Sequence, residues 1–91
     1  MNSSTQINTT DGKRISKRLI NHWKHKFEVS ETEACSKIFM PTATVTLSPQ
    51  AEKLEVLIES TQDDLSHLQD VVIDHLNRMA QQEFVVEWQQ S

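Results

Sequence analysis

The sequence predicts an α+β protein, a two-layer sandwich with two helices on one face of an antiparallel sheet of five to six strands. Two segments repeat apolar residues every three to four positions, as amphipathic helices do. Several short segments alternate apolar and polar residues, as half-buried strands do. Each predicted element has one main apolar face, so a single core between two layers would bury them all. The predicted order is β-α-β-β-β-β-α-β.

Length and charge limit the class of protein. With 91 residues, the chain is predicted to form one domain, residues 1–91. The hydrophobic fraction of 36% is typical of a globular protein rather than a disordered one. The net charge of −4 argues against nucleic-acid binding, because contacts with phosphates need clustered Lys and Arg.

The cellular compartment is predicted from cysteine content and from the pattern of apolar residues. Cys35 is the single cysteine, so the chain forms no internal disulfide and suits a reducing compartment. The first ten residues lack the basic start and apolar run of a secretory signal, and no run of 18 apolar residues occurs. A cytoplasmic protein without a membrane partner is expected.

A strand and a helix are predicted for residues 3–23. Residues 3–10 are polar and β-branched, with Ile7 as the only large apolar side chain, which is typical of a short exposed edge strand. From Lys13 onward, apolar residues follow a helical period over about three turns. They are Ile15, Leu19, Ile20 and Trp23.

A meander of four strands is predicted next. Alternation around Val29 and around Ile38 indicates a hairpin, with polar residues 30–34 between its arms. Residues 43–47 and 54–59 predict the two strands that follow.

The second helix and a last strand complete the pattern. Residues 60–64 combine hydroxyl and acidic side chains, as helix starts do, and the helix is predicted to run to Ala80. Its apolar stripe consists of Leu65, Leu68, Val72, Leu76 and Met79. The alternating residues 83–88, EFVVEW, predict the last strand.

Three histidines form the candidate metal site. His22 and His25 lie three residues apart at the end of the first helix, within reach of one ion, and imidazole is a common ligand of zinc, iron and copper. His75 lies at the margin of the second helix, so it would join them if the helices pack side by side. The alternative is that these histidines pack and donate to backbone carbonyls.

Candidate ligand-binding residues surround the histidines. Trp23 could stack on a planar ligand, with Lys26 and Asp74 as charged neighbours, although an aromatic among Ile and Leu is normally part of a core. An enzyme using His22 and Asp74 as acid and base is the least favoured hypothesis, because nothing in the sequence brings the two within hydrogen-bond reach. Gly12 is the only glycine, which excludes a glycine-rich phosphate loop.

Two blocks of the sequence, HWxHKF at residues 22–27 and LQDVVxDHLxR at residues 68–78, resemble the bacterial family called domain of unknown function 2218. The resemblance extends from the first predicted strand to the last. It implies a compact α+β domain, and the family's association with siderophore-interacting flavin reductases implies iron handling. No activity is implied. The residues at the motif positions are His22, Trp23, His25, Lys26, Phe27, Asp70, Asp74, His75 and Arg78.

The function expected from these observations is that of a non-catalytic binding or accessory protein linked to iron or siderophore handling. Its ligand would be a metal ion or an iron chelate, and its partner a flavin-dependent siderophore reductase or another protein. The alternative is a protein–protein interaction module or homo-oligomer in which the histidines are structural. A monomer or a weak homodimer is expected.

Overall fold

A computed structural model of the chain describes residues 1–90. Two helices and six strands follow the predicted order. Their bounds are β1 (Asn2–Asn8), α1 (Gly12–Trp23), β2 (Glu28–Glu31), β3 (Ser36–Met40), β4 (Ala43–Pro49), β5 (Lys53–Ser60), α2 (Ser66–Ala80) and β6 (Gln89–Gln90). The strands form one antiparallel sheet in the order β2-β3-β4-β5-β1-β6. The predicted α+β class is confirmed.

One face of the sheet carries the core. Strand pairing places Ile38, Val45 and Ile58 side by side across three strands, and all three are fully buried. Both helices cover this face, because Gly12 of α1 lies against Leu54 of β5 and Gln69 of α2 donates a hydrogen bond to Ser3 of β1 at 2.7 Å. Apolar residues of the helices and sheet form one continuous cluster. No helix within residues 1–90 is long and apolar enough to cross a membrane.

The first strand is more enclosed than predicted. β1 pairs with β5 along its whole length and directs Ser3, Thr5 and Ile7 into the core. The prediction of an exposed edge strand is therefore wrong, because the polar residues that suggested exposure include side chains buried under α2 and the C-terminal segment. β6 pairs only with Ser3 and Ser4, so the outer edge of residues 5–8 has no ladder partner within residues 1–90.

The last predicted strand is also displaced. Residues 84–88 have no strand pairing, and the strand consists of Gln89 and Gln90 instead. The alternation that predicted a strand is real, since Phe84, Val86 and Trp88 pack on the core between exposed neighbours. The backbone of this segment nevertheless does not join the β1 ladder.

The start of α2 differs from the sequence prediction. β5 continues through Ser60, which pairs with Ala43, so the polar residues 60–64 do not begin the helix. Asp64 instead accepts hydrogen bonds from the N–H and hydroxyl of Ser66, at 2.9 and 2.7 Å. These two bonds lower the pKa of the Asp64 carboxyl from its ordinary value of 3.8.

Candidate functional site

The last turn of α1 meets the middle of α2 in a cluster of rings. His75 lies between two side chains of α1: its ring centroid is 5.4 Å from that of His22 and 4.9 Å from that of Trp23. Both contacts are tilted, at 45° and 46° between ring planes. We call His22, Trp23 and His75 the ring cluster. It forms because the helices pack against each other on the same face of the sheet.

The orientation of His75 is set by the backbone of its own helix. Its Nδ1 lies 2.8 Å from the carbonyl oxygen of Val71, one turn earlier. A carbonyl only accepts hydrogen bonds, so Nδ1 carries the proton and the neutral ring keeps a lone pair on Nε2. Histidines that bind metals usually hold their second nitrogen in this way. His75 is half-buried and His22 is exposed, so solvent reaches the pair.

The distance between the two imidazole rings can be compared with the spacing of two rings on one metal ion. At metal–nitrogen distances of about 2.0–2.1 Å, two imidazoles on one tetrahedral ion have centroids about 5 Å apart. The His22–His75 separation of 5.4 Å is close to that value. The centroid separation is thus compatible with a shared ion, and it is equally the spacing of two packed rings.

The third predicted histidine does not complete a cluster. Within residues 1–90, no group of three or more His, Cys, Asp or Glu side chains is arranged to hold a metal ion. His25 lies in the turn after α1, which ends at Trp23, and both His25 and Asp74 of α2 are exposed. The structure thus brings together His22 and His75 as a pair, and the predicted set of His22, His25 and His75 is not assembled as a three-ligand site.

Trp23 and Lys26 occupy different environments. Trp23 is 4% exposed and contacts the edge of the Phe27 ring, with centroids 6.0 Å apart. This burial favours the core interpretation over stacking on a ligand. Lys26 is exposed, and its Nζ lies 5.5 Å from the centre of the Phe27 ring.

Arg18, for which the sequence predicted no role, also belongs to the contact between the helices. Its Nη1 donates to the carbonyl oxygen of Met79 near the end of α2, at 2.9 Å. A cation near the last carbonyls of a helix also interacts favourably with the helix dipole. The available signal was its position one turn before His22, on the same side of α1.

Comparison with known families finds one family whose match includes the ring cluster. Residues 4–89 match the family described as "Uncharacterized protein conserved in bacteria (DUF2218)". The chain belongs to this family. The resemblance carried by the two sequence blocks is thereby confirmed, and the match includes every residue of the ring cluster.

A solved structure agrees with the DUF2218 assignment. The chain is similar to the protein in "NMR structure of PA4090 from Pseudomonas aeruginosa", with 34% sequence identity and a TM-score of 0.82. The similarity covers 97% of this chain and 94% of that one. No curated protein matches the chain. The DUF2218 description names a bacterial family and no activity.

Proposed function

We propose that this DUF2218 protein is a non-catalytic binding domain that holds a transition-metal ion, alone or within a small anionic chelate, between His22 and His75. The observation that carries the proposal is the geometry of the pair. The rings are 5.4 Å apart, and the bond from His75 Nδ1 to Val71 leaves Nε2 as a ligand. Imidazole nitrogen suits zinc, copper, iron and nickel.

Two protein ligands leave coordination positions for another molecule. A chelate that supplies the remaining donors would fill them. The turn that directly follows α1 contains Lys24, His25 and Lys26. Both lysines are exposed, and neither forms a salt bridge within residues 1–90. Such surroundings favour an anionic chelate, which a flavin-dependent siderophore reductase could then reduce.

Metal titration tests this proposal. Zinc, copper, nickel and a ferric chelate are added separately to the protein, and thermal unfolding and the histidine ring signals in NMR are followed. A ligand at 100 times its Kd stabilises the folded state by about 2.7 kcal/mol. For a domain of this size, the melting temperature would rise by roughly 10 to 20 °C.

Three variants make the titration specific. His22→Gln and His75→Phe each remove one ligand, and phenylalanine preserves the packing of the His75 ring against Trp23. His67→Gln is the control, since His67 is an exposed histidine on the same helix as His75. We expect the first two variants to lose the metal-dependent stabilisation and the third to keep it. Unchanged melting and ring signals with every metal would contradict the proposal.

A protein–protein interaction module is the second candidate, supported by the outer edge of β1. Residues 6–8 of that edge have no ladder partner within residues 1–90, and strand edges without a partner pair readily with other chains. In this case the histidines would serve packing alone. Light scattering that shows a dimer, or cross-links between the β1 strands of two copies, would favour this function. A monomer at high concentration would argue against self-association.

A further inference from the structure

The first helix gives one side of the helix layer a strong positive charge. In residues 13–26, which include most of α1 and the turn after it, every charged side chain is a cation and every one is exposed. Six of the nine cations of the chain lie here, although its net charge is −4. We call these side chains the basic strip; they are Lys13, Arg14, Lys17, Arg18, Lys24 and Lys26.

The second helix makes the other side of the same layer acidic. Residues 63–83, which include α2, carry five exposed acids and one exposed cation, Arg78. At about 100° per residue, Asp70 and Asp74 lie opposite the buried Val72 and so point away from the sheet. We call the acids the acidic strip; they are Asp63, Asp64, Asp70, Asp74 and Glu83.

The two strips do not neutralise each other within one chain. Within residues 1–90, no ion pair joins a cation of the basic strip to an acid of the acidic strip. Lys24 and Lys26 on one strip, and Asp70 and Asp74 on the other, take part in no ion pair among these residues. These four exposed side chains can therefore contact another molecule.

The packing of the helices determines which charges lie at the same level. Arg18 of α1 contacts the end of α2, and His22 contacts His75 in its middle, so the two helices are antiparallel. Residues 24–26 of the basic strip therefore lie level with the acids that precede His75, in residues 70–74. A twofold axis parallel to the helices would place these basic residues of one copy over these acids of the other, twice in each dimer.

We propose that the helix layer docks on the helix layer of a second copy, with each basic strip against the acidic strip of the other chain. A face that carries both signs side by side is self-complementary about such an axis, whereas a uniformly anionic partner would be repelled by the acidic strip. The ring cluster lies between the strips, so the two ring clusters of the dimer face each other. The proposal does not rest on metal binding there, which the metal titration tests separately.

The size of the face indicates a weak dimer. Two helices of this length, side by side, cover about 400 Å² on each copy. Stable interfaces bury about 800 Å² on each partner, so the contact is below standard size. Association is therefore expected at high protein concentration and low ionic strength.

Sedimentation equilibrium tests the proposal, from micromolar to millimolar protein, at low and high sodium chloride concentrations. We expect a dimer at low salt whose dissociation constant rises about tenfold at high salt, because salt screens exposed charges. A monomer at every concentration would overturn the proposal. A monomer that binds vesicles of phosphatidylglycerol would also overturn it, and would assign the basic strip to anionic lipid.

Charge reversal identifies the surface. Lys24→Glu with Lys26→Glu, and Asp70→Lys with Asp74→Lys, each give a single sign of charge to both strips at this level. We expect the dissociation constant of each double variant alone to be at least about tenfold higher. An equimolar mixture should form a heterodimer, because each strip again meets the opposite sign. The variants have formal net charges of −8 and 0, changed from −4, so overall charge does not draw them together.

Lys37→Glu with Lys53→Glu is the matched control. It has the same net charge as the first variant, −8. Both lysines lie on the sheet face away from the helices, since they alternate with the buried Ile38 and Leu54. This variant should dimerise like the unsubstituted protein, and an equal loss of dimer in it would overturn the proposal. A mixture of the two helix variants that stays monomeric would overturn it too. Dimers that survive both reversals on the helices would overturn it in favour of pairing through β1.

Discussion

The side-chain oxygen of Asn77 accepts a hydrogen bond from the backbone N–H of Phe84 at 3.1 Å, across the turn that ends α2. This bond ties the C-terminal segment to the helix and is partly buried. We expect Asn77→Ala to lower the free energy of unfolding by about 1–2 kcal/mol, because the N–H loses its partner. Urea unfolding measures the change. Gln82→Ala, an exposed side chain in the same turn, should change it by less than about 0.5 kcal/mol.

Two buried hydroxyls are expected to be dispensable for stability. Ser16 Oγ and Thr46 Oγ1 have no hydrogen-bond partner within residues 1–90. Ser16→Ala and Thr46→Val should therefore leave the free energy of unfolding unchanged or raise it by up to about 1 kcal/mol. Thr5→Val is the matched control, because Thr5 Oγ1 donates to the Glu87 carbonyl at 2.8 Å. Loss of this hydrogen bond should lower the free energy of unfolding by about 1 kcal/mol. Equal effects in all three variants would contradict this interpretation.

Stability should depend strongly on the buried side chains of α2. Leu76 is fully buried and belongs to the cluster shared by the helices and the sheet. We expect Leu76→Ala to lower the free energy of unfolding by about 2–5 kcal/mol, because it leaves a cavity. Val85→Ala should have an effect below about 0.5 kcal/mol, because the Val85 side chain is fully exposed. Chemical denaturation of the two variants makes the comparison.

The backbone conformation of Gln81 is also expected to affect stability. Gln81 follows α2 in the left-handed region, at φ 56°, and is the only non-glycine residue with positive φ among residues 1–90. We expect Gln81→Gly to raise the free energy of unfolding by up to about 1 kcal/mol, since glycine adopts this conformation without Cβ strain. Gln82→Gly should lower it instead. Thermal unfolding of both variants would show whether the signs differ.

The hydrogen bonds to Asp64 are expected to make the protein less stable at acid pH. Hydrogen bonds from the Ser66 hydroxyl and N–H lower the pKa of the Asp64 carboxyl below 3.8 in the folded state. Their stabilisation is therefore fully present above that value and is lost as pH falls through the folded-state pKa. NMR titration of the carboxyl should show a higher pKa in Ser66→Ala, which loses the hydroxyl bond. An Asp64 pKa that is unchanged in Ser66→Ala would contradict the assignment.

The helices and the meander were predictable because each depends on local periodicity. Apolar residues recur at the helical period from Leu65 to Met79 and alternate with polar ones in residues 54–59. Each period shows which face of the element is buried, and it can be recognised in the sequence without knowledge of distant contacts. The errors arose where one local pattern suits two structures. Residues 60–64 carry a helix-start signature, but pairing of Ser60 with Ala43 keeps Ser60 in β5. Residues 84–88 alternate like a strand without pairing with β1.

By itself, the sequence determined the class, the element order and most of the apolar side chains that face the core, because hydrophobic periodicity follows from burial. The tertiary structure alone decided that β1 lies between β5 and β6, since strand order depends on contacts between distant segments. It also decided which histidines meet. His22 and His75 became neighbours through the packing and rotation of the two helices, whereas His25, only three residues from His22, remains on the exposed surface.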